Sequence, residues 1–311
     1  MSVNSSRSPT LHCSAFPNIS RNSLVYYNAS LSASFFTALL APLTVTANAF
    51  ILAAIWKTPS LKTPSYVLLA GLAFTDFFTG LITQPFFAVF RFVAVKTGDG
   101  KMYCDAGLVA DGFGYYFSPL SAVVITMIAV ERWLHMSRRS LPTVRRVVVL
   151  YITFAVFLIF LAAGRLYTRF YSNKALGMIT ILYFLGGSSG IALTAFAYFK
   201  VFRIIRQHQN QVQTNRNAID MKKYKKSINT MLCILVVFVL SYLPSLCLIL
   251  VSHAFSYHGA PYYVALDISI AMVNLSSFLN PLLYYCRIKD IRDSVKSIIR
   301  KLLFKQTSEQ S

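Results

Sequence analysis

Charged residues are scarce in this sequence, and acidic ones most of all. Only 13% of the 311 residues are charged, with 10 Asp or Glu against 30 Lys or Arg. An ordinary soluble domain has about 25% charged residues. The five histidines and five cysteines are scattered along the chain, with no convincing spacing for a metal site or for a nucleophile beside a base. The composition therefore disfavours a soluble domain, a metalloprotein and an enzyme.

Hydrophobic residues are abundant instead, at 56% of the chain, and they gather in seven long stretches. A helix needs about 20 mostly apolar residues to cross a bilayer, and a helix satisfies its own backbone in lipid. The strand alternation of membrane β-barrels is absent from the sequence. We therefore predict an all-α membrane protein, a seven-transmembrane helix bundle. The predicted helix bounds are 31–56, 65–91, 104–134, 144–168, 175–201, 227–252 and 261–286.

Two features predict that the N-terminus is outside the cell. Glycosylation sequons begin at Asn4, Asn18 and Asn28, and such sites are modified outside. In this orientation most basic residues fall in the inner loops and tail, as the positive-inside rule requires. The net charge of +20 therefore reports topology and lipid contact, and no nucleic-acid partner is predicted. We predict a multi-pass plasma-membrane protein with a glycosylated extracellular segment at 1–30 and a cytoplasmic C-terminus.

The bundle is predicted to form one domain over 31–286. The segment 287–311 begins with apolar residues at three- and four-residue intervals and a basic opposite face. Such an amphipathic eighth helix suits the inner membrane surface. The inner connection at about 202–226 is basic and rich in Gln and Asn. It is predicted to extend helices five and six. No apolar signal sequence precedes the first helix, which is predicted to direct insertion.

Polar residues inside the spans are functional candidates, because they are costly in a bilayer. Asp76 lies near the middle of helix two, and polar residues of helices one, three and seven lie at similar depth. We predict a cluster of Asp76 with Asn48, Ser121, Ser276, Ser277 and Asn280. Two states of this cluster remain open. It is either a hydrated site for a small cation, with sodium at Asp76 as the candidate, or a hydrogen-bonded core with a protonated Asp76.

Helices three, six and seven contain further features of this kind. Glu131 and Arg132 close helix three at the inner face, where an arginine by itself only follows the positive-inside rule. Pro244 and Pro281 lie within helices six and seven. Each proline removes a backbone hydrogen bond and kinks its helix, and such a kink is either static or a hinge.

In their order along the chain, these residues resemble the motifs of the rhodopsin-like G-protein-coupled receptors. Asn48 matches the asparagine of helix one, and Tyr198 the tyrosine near the inner end of helix five. Four longer motifs are similar to those of helices two, three, six and seven: Leu72-Ala73-Phe74-Thr75-Asp76, Glu131-Arg132-Trp133, Phe238 with Ser241-Tyr242-Leu243-Pro244, and Asn280-Pro281-Leu282-Leu283-Tyr284. The resemblance covers essentially the whole chain.

The resemblance implies a receptor that converts binding of an extracellular ligand into activation of a heterotrimeric G protein. The implied activation residues are Glu131, Arg132, Tyr198, Phe238, Pro244, Pro281 and Tyr284. On activation, Arg132 would leave Glu131 and meet Tyr198 or the G protein, and Tyr284 would rotate inward. The basic inner loops would attract an acidic partner and anionic membrane lipids. No cofactor is implied other than the candidate allosteric sodium ion.

The resemblance also bears on the ligand. Gly114 replaces the aspartate of the amine receptors, with Asp111 about one turn further out, and Asn274 replaces the lysine of the opsins. Neither a monoamine nor retinal is therefore the predicted ligand. The candidate ligand contacts are polar or aromatic residues in the outer halves of the helices: Gln84, Asp111, Tyr115, Tyr116, Tyr183, Tyr242, His253 and Asp267.

The chain departs from the family pattern on its outer side. Cys104 lies three residues from the usual cysteine position and the second outer loop has no cysteine, so the usual disulfide is not expected. A bond between Cys104 and Cys13 remains open. Gly190 replaces the proline of helix five, which with the short outer loops resembles the melanocortin, cannabinoid and lysophospholipid receptors.

A transporter or channel is the alternative interpretation, since it would also use buried polar residues such as Asp76. Transporters more often show internal repeats and broken helix pairs, and neither is apparent here. A membrane enzyme is disfavoured by the scattered histidines.

Overall fold

A computed structural model describes residues 24–96, 99–137, 142–171, 173–212, 218–255 and 259–308. These ranges contain eight long helices and no strand. Seven of the helices are long and apolar enough to cross a membrane, which confirms the predicted seven-helix bundle with an additional C-terminal helix. The helices are α1 (Leu24–Lys57), α2 (Pro64–Val95), α3 (Gly100–Met136), α4 (Val144–Tyr171), α5 (Asn173–Val212), α6 (Ala218–Phe255), α7 (Ala260–Arg287) and α8 (Lys289–Ser308).

The helices extend beyond the apolar stretches from which they were predicted. Helix α1 begins at Leu24, seven residues before its predicted start at 31. Two contacts explain the extension. Ser30 Oγ donates to Asp267 Oδ2 at 2.6 Å, and the ring of Tyr26 packs against that of Tyr263. The helices α5 and α6 reach far into the connection between them, as predicted.

The bundle buries many polar side chains beside its apolar core and exposes many large apolar ones. Large apolar side chains such as Phe160, Met178 and Phe199 are exposed, whereas Thr37 and Asp76 are completely buried. This arrangement suits lipid, because apolar side chains match the hydrocarbon and polar ones find partners between helices.

The ends of α3 give two reference points. Asp111 lies near its start and Arg132 near its end, and the two ends of the bundle are named the Asp111 end and the Arg132 end below. Asp99 caps α3, because its side chain accepts a hydrogen bond from the Met102 backbone N–H at 2.9 Å,. Pro64 begins α2, where its missing N–H costs nothing.

An irregular turn in α2 decides which side chains face the interior at the Asp111 end. A π-helical turn at Thr79–Thr83 precedes Pro85, which has no N–H for the regular helix pattern. The extra residue of such a turn rotates all later side chains by about 100° around the helix axis. Gly80 packs against α1 within the turn. Arg91, further along α2, is consequently buried.

The eighth helix packs against the Arg132 end. Ile291 and Val295 are buried in the main apolar core, and Tyr66 OH donates to Asp290 Oδ2 at 3.0 Å. Lys296 and Arg300 are exposed. This geometry agrees with the predicted amphipathic helix.

Candidate ligand cavity and switch residues

A cavity of about 1040 Å³ lies among helices α2 to α7, at the upper limit of the volumes usual for ligand pockets. It extends along α3 from Tyr103 to Leu134. Four of the predicted ligand contacts line it: Asp111, Tyr115, Tyr183 and Tyr242.

Two arginines of α4 surround Asp111 in the cavity. Arg169 Nη2 lies 2.7 Å from Asp111 Oδ1, and Arg165 Nε lies 3.4 Å from Asp111 Oδ2. All three side chains are nearly buried. Residues four apart share one face of a helix, so the spacing of the arginines lets both reach one carboxylate. The cluster has two positive charges and one negative charge.

Contacts with two other helices fix Arg165. Its Nη1 donates to Thr180 Oγ1 at 2.9 Å, and its guanidinium carbon lies 3.6 Å from the centre of the Tyr115 ring. Tyr115 in turn packs edge-on against Tyr183. The prediction missed both arginines, because positive residues near the end of a span were interpreted only as signs of topology. Their four-residue spacing was the signal available in the sequence.

A second buried ion pair lies at the same end of the bundle. Arg91 of α2 pairs with Asp267 of α7, which also accepts the hydrogen bond from Ser30 of α1. The guanidinium carbon of Arg91 lies 4.8 Å from the centre of the Phe90 ring. Asp267, a predicted ligand contact, therefore links three helices and does not line the cavity. Arg91 does line it and was not predicted.

Of the other predicted ligand contacts, Gln84 and Tyr116 do not line the cavity. Gln84 is buried, and its Nε2 donates to the Asn274 backbone O at 3.1 Å. Tyr116 is half-buried and packs against Phe117. The side chain of His253 lies outside the described residues.

The structure brings the predicted polar cluster together in mid-bundle. Ser121 Oγ donates to Asp76 Oδ1 at 3.0 Å, and Asn280 Nδ2 donates to Asp76 Oδ2 at 2.8 Å. Asn48 Nδ2 donates to the backbone O of Ser277 at 3.0 Å. Ser276 is buried as well, and its hydroxyl donates within α7. Helices α1, α2, α3 and α7 are therefore joined by hydrogen bonds at one level.

A smaller polar group closes the Arg132 end. Arg132 Nε lies 3.7 Å from Glu131 Oε2, and Ser65 Oγ of α2 donates to Glu131 Oε1 at 2.7 Å. Glu131 is buried, while the Arg132 side chain is 35% exposed. The contact with Ser65 was not predicted.

The other predicted switch residues lie on the facing helices. The hydroxyls of Tyr198 and Tyr284 are buried, and neither has a hydrogen-bond partner among the described residues. The rings of Phe238 and Tyr242 are 5.0 Å apart, and Tyr242 OH donates to the Ser118 backbone O at 3.2 Å. Pro244 and Pro281 lie within α6 and α7.

Cys104, at the Asp111 end, is in a disulfide bond. Cys13, the partner considered from the sequence, lies outside the described residues. Cys233, Cys247 and Cys286 are free thiols.

Fold and site together define a polytopic helical membrane protein, with a long cavity beside α3 and a buried glutamate next to a half-buried arginine at the Arg132 end. Comparison with known families makes this specific. The family described as "7 transmembrane receptor (rhodopsin family)" matches residues 47–284. The chain belongs to this family, and it is a G-protein-coupled receptor and not an enzyme. The match lends no support to the transporter alternative.

The similar proteins are receptors as well. A high-affinity lysophosphatidic acid receptor of Xenopus laevis is 22% identical, over 82% of this chain and 78% of that protein. Trace amine-associated receptor 7h of Rattus norvegicus is 26% identical, over 86% and 82%. The structure of squid rhodopsin matches with a TM-score of 0.67 and 18% identity, over 96% of this chain and 92% of that one. This last likeness concerns the fold.

Proposed function

We propose that this receptor binds an extracellular ligand in the cavity at the Asp111 end and activates a heterotrimeric G protein at the Arg132 end. It lies in the plasma membrane with its N-terminus outside and its C-terminus in the cytoplasm. The sequons at Asn4, Asn18 and Asn28 and the basic residues towards the Arg132 end support this orientation.

The observation that carries the proposal is the position of both sites on one helix. Asp111 and Arg132 are 21 residues apart on α3, which is about 31 Å at the rise of an α-helix. Tyr242 lines the cavity and contacts Phe238, one helical turn closer to the Arg132 end. A ligand that prefers one position of α6 over another therefore shifts the arrangement at the Arg132 end.

The contacts at the Arg132 end support a role for this group as the activation switch. Ser65 and Arg132 hold Glu131, while the hydroxyls of Tyr198 and Tyr284 have no hydrogen-bond partner in the part of the chain that the structure describes. A buried hydroxyl gains stability when it acquires a hydrogen bond. Outward movement of α6 would let Arg132 leave Glu131 and approach Tyr198, and the opened groove would admit a helix of the G protein.

The polar cluster offers a site for an allosteric sodium ion. Hard cations prefer oxygen ligands, and the Asp76 carboxylate and the Ser121 hydroxyl face each other at 3.0 Å. Asp76 would hold the ion and Ser121 would complete part of its shell. Because Asn280 of α7 contacts the same carboxylate, occupancy would affect the position of α7. The exposed basic face of α8 would contact anionic lipids.

The names of the relatives suggest two ligand chemistries of opposite charge, an acidic lysophospholipid and an amine. Asp111 is the carboxylate that an amine would need at this end of the cavity. Arg165 and Arg169 already neutralise it, which argues against an amine.

The test is basal and ligand-stimulated G-protein activation in cells, with a sensor for each G-protein class. Wild type is compared with Arg132→Ala at matched surface levels. Arg300→Ala, which changes an exposed arginine of α8, is the control. We expect a signal in wild type and in the control, and none in Arg132→Ala. An undiminished signal in Arg132→Ala would contradict the role of this arginine.

A further inference from the structure

We infer that the ligand is an anionic amphiphile, whose acidic group binds at Arg165 and Arg169 and whose apolar body lies along the remainder of the cavity. The acidic group is a carboxylate or a phosphate. The inference rests on the proposed function and specifies the ligand chemistry of the same site.

The charged side chains on the cavity wall indicate an acidic ligand. Three arginines line the cavity, namely Arg91, Arg165 and Arg169. Asp267 neutralises Arg91. Arg165 and Arg169 share the single carboxylate of Asp111. The other carboxylate among the described lining residues is Glu131, which lies at the far end beside Arg132. Among the described residues, the group of Asp111, Arg165 and Arg169 therefore has a net positive charge in a nearly buried site.

An uncompensated buried charge is costly, and an anion from outside removes that cost. Guanidinium groups bind carboxylate and phosphate through two parallel hydrogen bonds. Arg165 Nε faces Asp111 Oδ2 at 3.4 Å without forming a hydrogen bond. Its donor capacity is thus incompletely used.

The surroundings of the two arginines favour an acidic group further. Arg165 is positioned by Thr180 and by the Tyr115 ring, so little ordering is needed when an anion binds. The hydroxyl of Tyr183, which lines the same part of the cavity, is buried without a hydrogen-bond partner among the described residues. It is able to donate to an acidic oxygen beside Arg165.

The rest of the wall specifies the body of the ligand. Below the arginines the lining is largely aliphatic and aromatic, and it includes Leu158, Leu161, Leu182, Leu246 and Ile249. Burial of an alkyl chain there is favourable, because it removes apolar surface from water. A small inorganic anion would leave this surface uncovered, so an amphiphile fits the cavity better.

The direct test measures binding to the purified full-length receptor in phosphatidylcholine nanodiscs, by thermal stabilisation at submicellar ligand concentrations. The probes are dodecanoate, dodecyl phosphate, dodecanol and dodecylamine, which share one chain length and differ in head group. We expect the acidic probes to bind about tenfold or more tightly than the alcohol, as loss of a charge-assisted hydrogen bond implies. The carboxylate and phosphate probes then distinguish the two acidic groups.

Two variants separate the cluster from general surface charge. Arg169→Gln removes the excess positive charge and should abolish the preference for acidic probes. Lys174→Gln is the control, because this exposed lysine lies at the same end but does not line the cavity. If Arg169→Gln unfolds the receptor, Asp111→Asn replaces it. That change adds one unit of net positive charge and should strengthen acidic binding.

Two outcomes would overturn the inference: equal binding of dodecanol and the acidic probes, or tighter binding of dodecylamine. Parallel measurement of G-protein activation keeps the inference separate from the proposed function. Basal activation that depends on Arg132, without acidic binding, would overturn the inference alone. Acidic binding through Arg169 without any G-protein response would support the inference and contradict the proposed function.

Discussion

At the scale of single residues, Glu131 is the buried carboxylate beside Arg132. Its carboxylate has two neighbours, the Ser65 hydroxyl at 2.7 Å and Arg132 Nε at 3.7 Å. The shorter contact comes from α2. We therefore predict that Ser65 is a positioning residue, which acts on Arg132 through Glu131.

Glu131→Gln should raise basal G-protein activation several-fold, because a neutral amide holds Arg132 less well than a carboxylate. Ser65→Ala should raise it by a smaller factor, since it removes one hydrogen bond to a charged group. Basal activation at matched surface levels measures both effects. A fall in activation with either variant, at normal expression, would show that Glu131 supports the active arrangement instead.

Asp76 is a second buried carboxylate with a predicted role in signalling. Its two oxygens accept hydrogen bonds from Ser121 and Asn280. Replacing sodium in the medium with N-methylglucamine should change basal activation in wild type. Asp76→Asn should abolish this dependence, because an amide loses the charge that attracts the cation. Ser137→Ala, at the end of α3, is the control and should respond like wild type. An unchanged sodium response in Asp76→Asn would exclude Asp76 as the ion site.

At the scale of helices, buried ion pairs connect elements that are distant in sequence. Arg91 and Asp267 join α2 to α7, and Ser30 adds α1. Asp111 with Arg165 joins α3 to α4, and Thr180 adds α5. The π-helical turn of α2 makes the first of these connections geometrically available.

Removing one member of the Arg91–Asp267 pair should destabilise the receptor more than removing both. Arg91→Met leaves Asp267 buried without its cation, which costs about 3–5 kcal/mol. Asp267→Leu leaves Arg91 buried in the same way. The double variant should recover most of the loss, since two apolar side chains replace the pair. Thermal unfolding in detergent measures the three variants.

Arg300→Met provides the matched control for the removal of an arginine, because Arg300 is exposed on α8. It should unfold at nearly the same temperature as wild type. Strictly additive effects of Arg91→Met and Asp267→Leu would show that the two residues do not interact.

At the scale of the whole molecule, charge and polarity are distributed along two directions. Across the bundle, large apolar side chains are exposed on the outer surface, while polar ones such as Asp76 and Thr37 are buried within the core. Along the bundle, basic residues accumulate towards the Arg132 end, while the sequons lie before or at the start of α1. The two gradients together support the proposed orientation, with the N-terminus outside and the C-terminus in the cytoplasm.

Antibody labelling of intact cells tests this orientation. An N-terminal epitope should be accessible without permeabilisation, and a C-terminal epitope only after it. Peptide N-glycosidase should lower the apparent mass of wild type, but not that of a variant with Asn4, Asn18 and Asn28 all changed to Gln. The opposite pattern of epitope accessibility would invert the assignment of the two ends.

The sequence by itself determined the seven helices, the eighth helix and the family. Span length, apolar content and motif order are local properties, and the bilayer leaves helix as the one state for such stretches. The depth of Asn48, Asp76 and Asn280 along their helices also predicted that they would meet, because helices that cross the same bilayer share one depth scale.

Only the tertiary structure decided which charged groups pair and which ones face the cavity. Arg91 turns inward because a π-helical turn precedes it, and no regular helical wheel predicts that rotation. Asp267 pairs across the bundle with Arg91, whereas Asp111 is held by Arg165 and Arg169. These pairs join residues far apart in sequence. Helix rotation and packing determine which residues come close enough to pair. Local patterns fix the position of a residue along a helix axis, and only the packed bundle fixes its direction.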